Sequence, residues 1–221
     1  MLTKEQSTLL LEGARHLQIE LTKECIAQIA TYLEELQRWT KVVDLVSQSD
    51  PETIIRKHML DSLATLSILP FKGQLLDLGS GAGFPGLPIA MARPSLIVSL
   101  LEPRRKRINF LREVIRRTAL INAHAYEGRA EEFAKQKGRH SSFDVVITRA
   151  TWNLKEFLSV ASGFVNRDGI LVAMKGKKGR EELQSLSRET KEFILEMKYD
   201  YQLPCGKEKR TTFVFTKKSS T

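Results

Sequence analysis

Residues 75–88 read Leu-Leu-Asp-Leu-Gly-Ser-Gly-Ala-Gly-Phe-Pro-Gly-Leu-Pro, an apolar run that breaks into glycine at alternate positions. A chain that ends a strand, turns at once into a helix and leaves its backbone open to a ligand needs residues that take positive φ without a Cβ clash. Gly79, Gly81 and Gly83 meet that need directly after Asp77, and Glu102 closes the next apolar run. The segment therefore predicts a strand, a nucleotide-binding turn and a helix, which points to the α/β class.

Two kinds of cofactor use such a turn. Gly81, Gly83 and Gly86 match G-x-G-x-x-G, the spacing that seats a dinucleotide pyrophosphate on a helix N-terminus. Pro85 and Pro88 argue against that reading, because each removes a backbone N–H where pyrophosphate needs donors. Counted from Gly79 rather than Gly81, Glu102 lies where an acid for ribose hydroxyls is expected. The strand-Asp-x-Gly-x-Gly-x-Gly pattern with an acid ending the second strand resembles S-adenosylmethionine (SAM) methyltransferases, in which the loop carries the methionine part and the acid holds both ribose hydroxyls.

Strands are expected at Gln74–Gly79, Leu96–Glu102, Ala123–Glu127, Phe143–Thr148, Ile170–Met174 and Thr212–Thr216, with a seventh near Tyr199–Leu203. Most are separated by stretches of helical period, which implies a mostly parallel sheet covered on both faces. The runs beginning at Phe143 and Gly169 are almost continuously apolar, as strands buried on both faces should be. The last two strands are joined by a short Gly-Lys-Glu-Lys-Arg link, which suits a hairpin, so one strand there is expected to be antiparallel.

Ahead of this core, Lys4–Leu17, Thr22–Thr40 and Pro51–Leu69 carry apolar residues at helical spacing, such as Ile29, Leu33 and Leu36 or Ile55, Met59, Leu63 and Leu66. Thr22 and Asp50-Pro51 supply N-cap signals. Residues 1–72 are thus expected to form a helical cap packed on a core of residues 73–221, in one compact body.

Charge divides along the same boundary. The formal net charge is +9, with −2 on residues 1–72 and +11 on the remainder. Arg104, Arg105, Lys106, Arg107, Arg112, Arg116 and Arg117 crowd one predicted helix; Lys175, Lys177, Lys178 and Arg180 follow the fifth strand; Lys207, Lys209 and Arg210 fill the hairpin. Three basic clusters on one half favour a polyanion, and nucleic acid is the expected partner. Cys25 and Cys205 are far apart, require no disulfide, and lack the Pro-Cys setting of a covalent cytosine methyltransferase. No run approaches a membrane span and no basic start precedes an apolar stretch, so a cytoplasmic, monomeric protein without a metal is expected.

Taken together, Gly-Ser-Gly-Ala-Gly-Phe-Pro-Gly-Leu-Pro at 79–88, Arg-Lys-His-Met-Leu-Asp-Ser at 56–62, Lys106-Arg107-x-x-Phe110-Leu111, Arg149-Ala150 and Lys175-Gly176 resemble the GidB/RsmG family. The resemblance runs from about Trp39 to the last strand. It implies a Rossmann-like class I SAM-dependent methyltransferase fold, with a mostly parallel seven-stranded sheet, a C-terminal antiparallel hairpin and an N-terminal helical extension. It also implies methylation of N7 of one guanosine in 16S ribosomal RNA, near the decoding centre, on the RNA or the small subunit. One departure is present: Asp44-Leu45-Val46 stands where the family usually shows Asn-Leu-Thr.

The resemblance assigns the cofactor to Gly79, Phe84, Ala130-Glu131 and Arg149. On physical grounds Gly79, Gly81 and Gly83 would let the backbone approach the methionine moiety, Glu102 would accept from ribose hydroxyls, and Ala130 and Glu131 would meet the adenine edge. Arg149 breaks an apolar run at the end of the fourth strand and suits either the cofactor carboxylate or the target nucleotide. Trp152 is a candidate to stack on a splayed base. Lys175, Lys177, Lys178 and Arg210 are candidates for phosphate contacts. His58 and Asp61, a helical turn apart, are expected to tie cap to core rather than act in catalysis.

The residues after the fourth strand read Thr148-Arg149-Ala150-Thr151-Trp152, not the Asn/Asp-Pro-Pro-aromatic sequence of amine methylation. Guanine N7 exposes an in-plane lone pair and needs no proton removed, so no general base is required. The alternatives are a nicotinamide-dependent oxidoreductase and a non-catalytic RNA-binding ribosome-assembly factor.

Overall fold

The structure is a computed structural model and describes residues 2–136, 138–149, 152–176, 179–186, 192–204, 206 and 208–218. Lys177, Lys178, Cys205 and Lys207, named above, lie outside the described residues.

The N-terminal helices form where capping and apolar spacing coincide. Thr3 accepts from the Gln6 N–H to open α1 (Lys4–His16), and Thr22 accepts from the Cys25 N–H to open α2 (Lys23–Thr40). Asp50 accepts from the Thr53 N–H, and Pro51 takes the first turn of α3 (Pro51–Ile54). The predicted single helix over 51–69 is a composite. It passes from α3 through a π-helical turn (Ile55–Met59) into α4 (Leu60–Ala64) and a 3-10 turn (Thr65–Ser67). Apolar spacing is continuous across the π turn, so the sequence pattern does not reveal it.

The sheet holds β1 (Gly73–Leu78), β2 (Leu96–Glu102), β3 (Ala123–Glu127), β4 (Phe143–Arg149), β5 (Val165–Lys175), β6 (Phe193–Gln202) and β7 (Lys209–Lys217), in the order β3-β2-β1-β4-β5-β7-β6. The first five strands run parallel, and β7 inserts antiparallel between β5 and β6. Helices α5 (Gly86–Ala92), α6 (Arg105–Thr118), α7 (Ala130–Ala134), α8 (Leu154–Ala161) and α9 (Gly179–Gln184) complete the described helices. This is a mostly parallel, Rossmann-like α/β architecture with the expected antiparallel hairpin at its C-terminal edge. Strands β5 and β6 both start earlier than expected. Charged Arg167-Asp168 interrupts the apolar pattern of one, and the other is an edge strand with most side chains exposed.

Two apolar layers flank the sheet. One joins Leu10, Ile29, Leu36, Met59 and Leu63 of the N-terminal helices to Leu75, Val98, Phe110 and Val145. The other packs Phe133, Phe157, Leu158 and Phe164 against Leu76, Val146 and Phe213. A polar contact joins the N-terminal helices to the core as well: Glu35 of α2, fully buried, accepts from Arg117 of α6 at 2.5 Å, from Arg38 at 2.6 Å and from the Trp39 indole at 3.2 Å. Removing a partner from so buried a carboxylate is costly, which fixes the seating of α2 on α6.

Candidate cofactor and acceptor site

The carboxyl ends of the parallel strands deliver the glycine loop, Glu102 and Arg149 to one edge of the sheet, where ligands of such folds bind. The loop is braced internally. Gly79 and Ser80 donate to the Leu101 carbonyl, Gly81 to Glu102 Oε2 (3.0 Å), Gly83 to the Ser80 carbonyl (2.7 Å), Gly86 to Asp77 Oδ2 (2.9 Å) and Leu87 to the Gly83 carbonyl (2.8 Å). Gly79, Gly81 and Gly83 sit at φ of 75°, 57° and 96°, which a side chain strongly disfavours. The Phe84–Pro85 peptide bond is cis.

Two cavities meet at this loop, and both are lined by Gly79 and Arg107. The first, of about 530 Å³, runs past Glu102, Arg104, Ala130, Glu131 and Trp152. Glu102 is buried, and its second oxygen accepts from the Arg104 N–H at 3.0 Å. It therefore serves main-chain donors and keeps acceptor capacity on both oxygens. The described residues include no ion pair from Glu102 to Arg104 or Arg105.

The second cavity, of about 460 Å³, is lined by Val46, His58, Asp61, Phe84, Arg149 and Arg210 among others. Arg149 reaches His58 Nδ1 at 2.9 Å and Asp61 at 3.5 Å, and its guanidinium lies over the Phe84 ring, 5.0 Å from the centroid. His58 stacks on the same ring at 5.2 Å. Burial, followed by the charges of Arg149, Arg210 and Lys57, pushes the His58 pKa down to about 3, so the ring is neutral at physiological pH. Asp61 also receives the Tyr201 hydroxyl at 2.7 Å and lies 3.5 Å from Arg210. Burial raises Asp77, behind the loop, to about 7.

The family described as rRNA small subunit methyltransferase G (GidB) matches residues 25–214. The chain belongs to this family. It is 35% identical to the ribosomal RNA small subunit methyltransferase G of Lachnoclostridium phytofermentans over 99% of this chain and 91% of that protein. It is 34% identical to the protein of the same name from Desulfitobacterium hafniense over all of this chain and 93% of that one. Among solved structures it is similar to a SAM-dependent methyltransferase from Aquifex aeolicus, with a TM-score of 0.57 and 17% identity, covering 80% of this chain and 96% of that one. It is also similar to TYW2 of M. jannaschii in complex with AdoMet, with a TM-score of 0.54 and 16% identity over 73% and 76% of the two chains. The structural likenesses speak for the fold alone.

Within this candidate site, several residues stand elsewhere than their sequence position suggests. Gly83 lines neither cavity; a Cβ there would lie 2.4 Å from Leu87, so this glycine serves packing. Trp152, a candidate for base stacking, stands in the wall of the Glu102 cavity. Lys175 lines the Arg149 cavity but is buried, with its ammonium held by Glu182 at 2.9 Å and by the Trp152 carbonyl, so it braces β5 against α9. On α6 the basic face is thinner than the residue count implies. Arg117 is bound to Glu35, Arg116 to Glu113 and Arg107 to the Asp44 carbonyl, while Arg104, Arg105, Lys106 and Arg112 are exposed.

Tyr32, Arg107 and the Leu45–Ser47 wall were not singled out as site residues by sequence reasoning. Tyr32 carries no local signal, since its contact with the loop is 50 residues away. Asp44 meets Arg107 through its main-chain carbonyl, so the departure at that position leaves this contact intact.

Proposed function

We propose that this protein transfers the methyl group of SAM to N7 of a single guanosine in 16S ribosomal RNA. The observation that carries the reading is the pair of cavities meeting at Gly79 and Arg107, one ending in an acid and the other lined by arginines. The residues fit SAM better than a dinucleotide. Six loop N–H groups between Gly79 and Leu87 are already bonded within the protein, and Pro85 and Pro88 have none, so the turn is poor in donors for pyrophosphate. Glu102 would accept from ribose hydroxyls, the Ala130-Glu131 pair would meet the adenine edge, and the main chain at Gly79 would face the methionine part.

Bound SAM supplies a methyl group on a positively charged sulfur. Guanine N7 attacks with a lone pair already exposed in the base's ordinary form. The protein's task is then alignment in a site whose dipoles are fixed beforehand, and no proton has to be removed. Arg149, clamped by His58 and Asp61, is rigid enough to position a ligand at the junction of the cavities. The exposed Arg104, Arg105, Lys106 and Arg112 support approach of a phosphate backbone. The relatives' names refer to ribosomal RNA of the small subunit, in agreement with that surface.

The test is transfer of tritiated methyl from SAM to 16S RNA and to small subunits from cells lacking the activity, with the nucleosides separated. Label in 7-methylguanosine that disappears with Arg149→Ala is the expected result. SAM binding without label in RNA would send the search to another acceptor.

A further inference from the structure

We propose that His58 is a specificity-determining residue that donates its Nε2–H to O6 of the acceptor guanine and so selects guanine over adenine. The inference rests on the guanine-N7 reading above and assigns the contact that recognises the base.

The tautomer follows from the partner. Arg149 Nη2 lies 2.9 Å from His58 Nδ1, and a guanidinium can only donate, so Nδ1 is the acceptor. A neutral ring then carries its proton on Nε2. Among the described residues Nε2 has no hydrogen-bond partner, it is not among the fully buried unsatisfied atoms, and His58 lines the cavity that holds Arg149. The ring is also held still. It stacks on Phe84 at 5.2 Å with 28° between the planes, and its backbone lies in the π turn Ile55–Met59, where the Ser62 hydroxyl donates to the His58 carbonyl at 2.6 Å. Such turns are frequent at functional sites. The cavity thus offers one fixed, neutral donor.

Guanine presents N7 and O6 side by side as acceptors, whereas adenine pairs its N7 with a donating N6 amino group. A donor beside the reacting nitrogen therefore accepts guanine and meets adenine donor to donor. Neutrality matters because N7 methylation places a positive charge on the base. The arginines lining this cavity are each engaged by the protein, Arg149 by His58 and Asp61, Arg210 by Asp61 and Arg107 by the Asp44 carbonyl. A cation against the same edge would oppose the charge that develops, and an imidazole N–H does not.

The experiment measures kcat/KM for methyl transfer to a target RNA carrying either guanosine or 2-aminopurine riboside, which keeps N7 and lacks O6, at the modified position. Wild-type protein is expected to favour guanosine by about 10- to 100-fold. The preference should collapse toward unity in His58→Ala and return in His58→Gln, whose amide offers an acceptor to Arg149 and a donor to the base. SAM affinity measured on the same samples reports folding of the variants. Equal use of both RNAs by wild type, or an undiminished preference in His58→Ala, overturns the proposal while leaving methyl transfer to guanosine in place. Absence of transfer to guanosine by wild type would overturn the underlying reading and this one with it.

Discussion

The hydroxyl of Tyr32, on α2, donates to the main-chain carbonyl of Ala82 in the glycine loop at 2.5 Å. The ring is fully buried, 5.3 Å from Phe84 and 6.2 Å from Phe110. The N-terminal helices thus hold the glycine loop directly. Tyr32→Phe keeps the ring packing and leaves a buried carbonyl unpaired, so stability should fall by about 1–3 kcal/mol. Urea denaturation checks the loss, and SAM titration calorimetry should show affinity falling with it.

Glu102 accepts from the main chain of both Gly81 and Arg104. Glu102→Ala removes the link between loop and second strand together with the proposed ribose acceptor. SAM affinity is expected to drop by about 10- to 100-fold, since charged hydrogen bonds are worth about 1.5–3 kcal/mol. Calorimetry at fixed pH decides; unchanged affinity would remove Glu102 from the cofactor site.

Cations that look alike in sequence should separate by salt dependence. Replacing Arg105 or Lys106 with Gln should lower the slope of log affinity for RNA against log salt by about 0.7–0.9 per charge removed. Lys175→Gln should instead lower the melting temperature and leave that slope unchanged, because its ammonium is committed to Glu182 and Trp152. Filter binding over a salt series distinguishes them.

Asp77 and His58 give opposite pH signatures. Burial raises Asp77 from the ordinary carboxylate range to about 7, so the folded protein holds a proton there that the unfolded chain releases above about pH 4. Its contribution is present in full below that pH and is lost as pH rises through 7. Relative to Asp77→Asn, wild type should lose stability between pH 4 and 7, measured by denaturant melts.

His58 is depressed to about 3, with Arg149, Arg210 and Lys57 adding to burial and Asp61 the nearby acid. Here the unfolded chain takes up the proton first, near its ordinary pKa of about 6.5. Wild type should therefore lose stability relative to His58→Gln as pH falls from about 6.5 toward 3. Paired melts across that range measure it.

How far the sequence could be read depended on whether a signal was local. The glycine loop, Glu102 and the apolar strands were legible because positive φ and two-sided burial restrict residue type at each position. Arg149 announced itself by interrupting an apolar run. The clamp around it was not legible, since His58, Phe84 and Arg149 meet only through the tertiary fold. The linking role expected of His58 and Asp61 could be guessed from their spacing, but not that Arg149 and Tyr201 donate to them. The burial of Lys175 was illegible for the same reason: a lysine after a strand reads as exposed until α9 folds Glu182 over it.

The bracing of the glycine loop has a consequence for turnover. With its donors joined to Leu101, Glu102, Asp77 and its own carbonyls, the loop already holds a defined shape before any ligand arrives. On the proposed assignment, a methyl donor and its demethylated product would exchange against a preformed cradle, with no contact free energy diverted into ordering the chain. On that assignment, discrimination between the two would fall to the charge on sulfur and the methyl group itself.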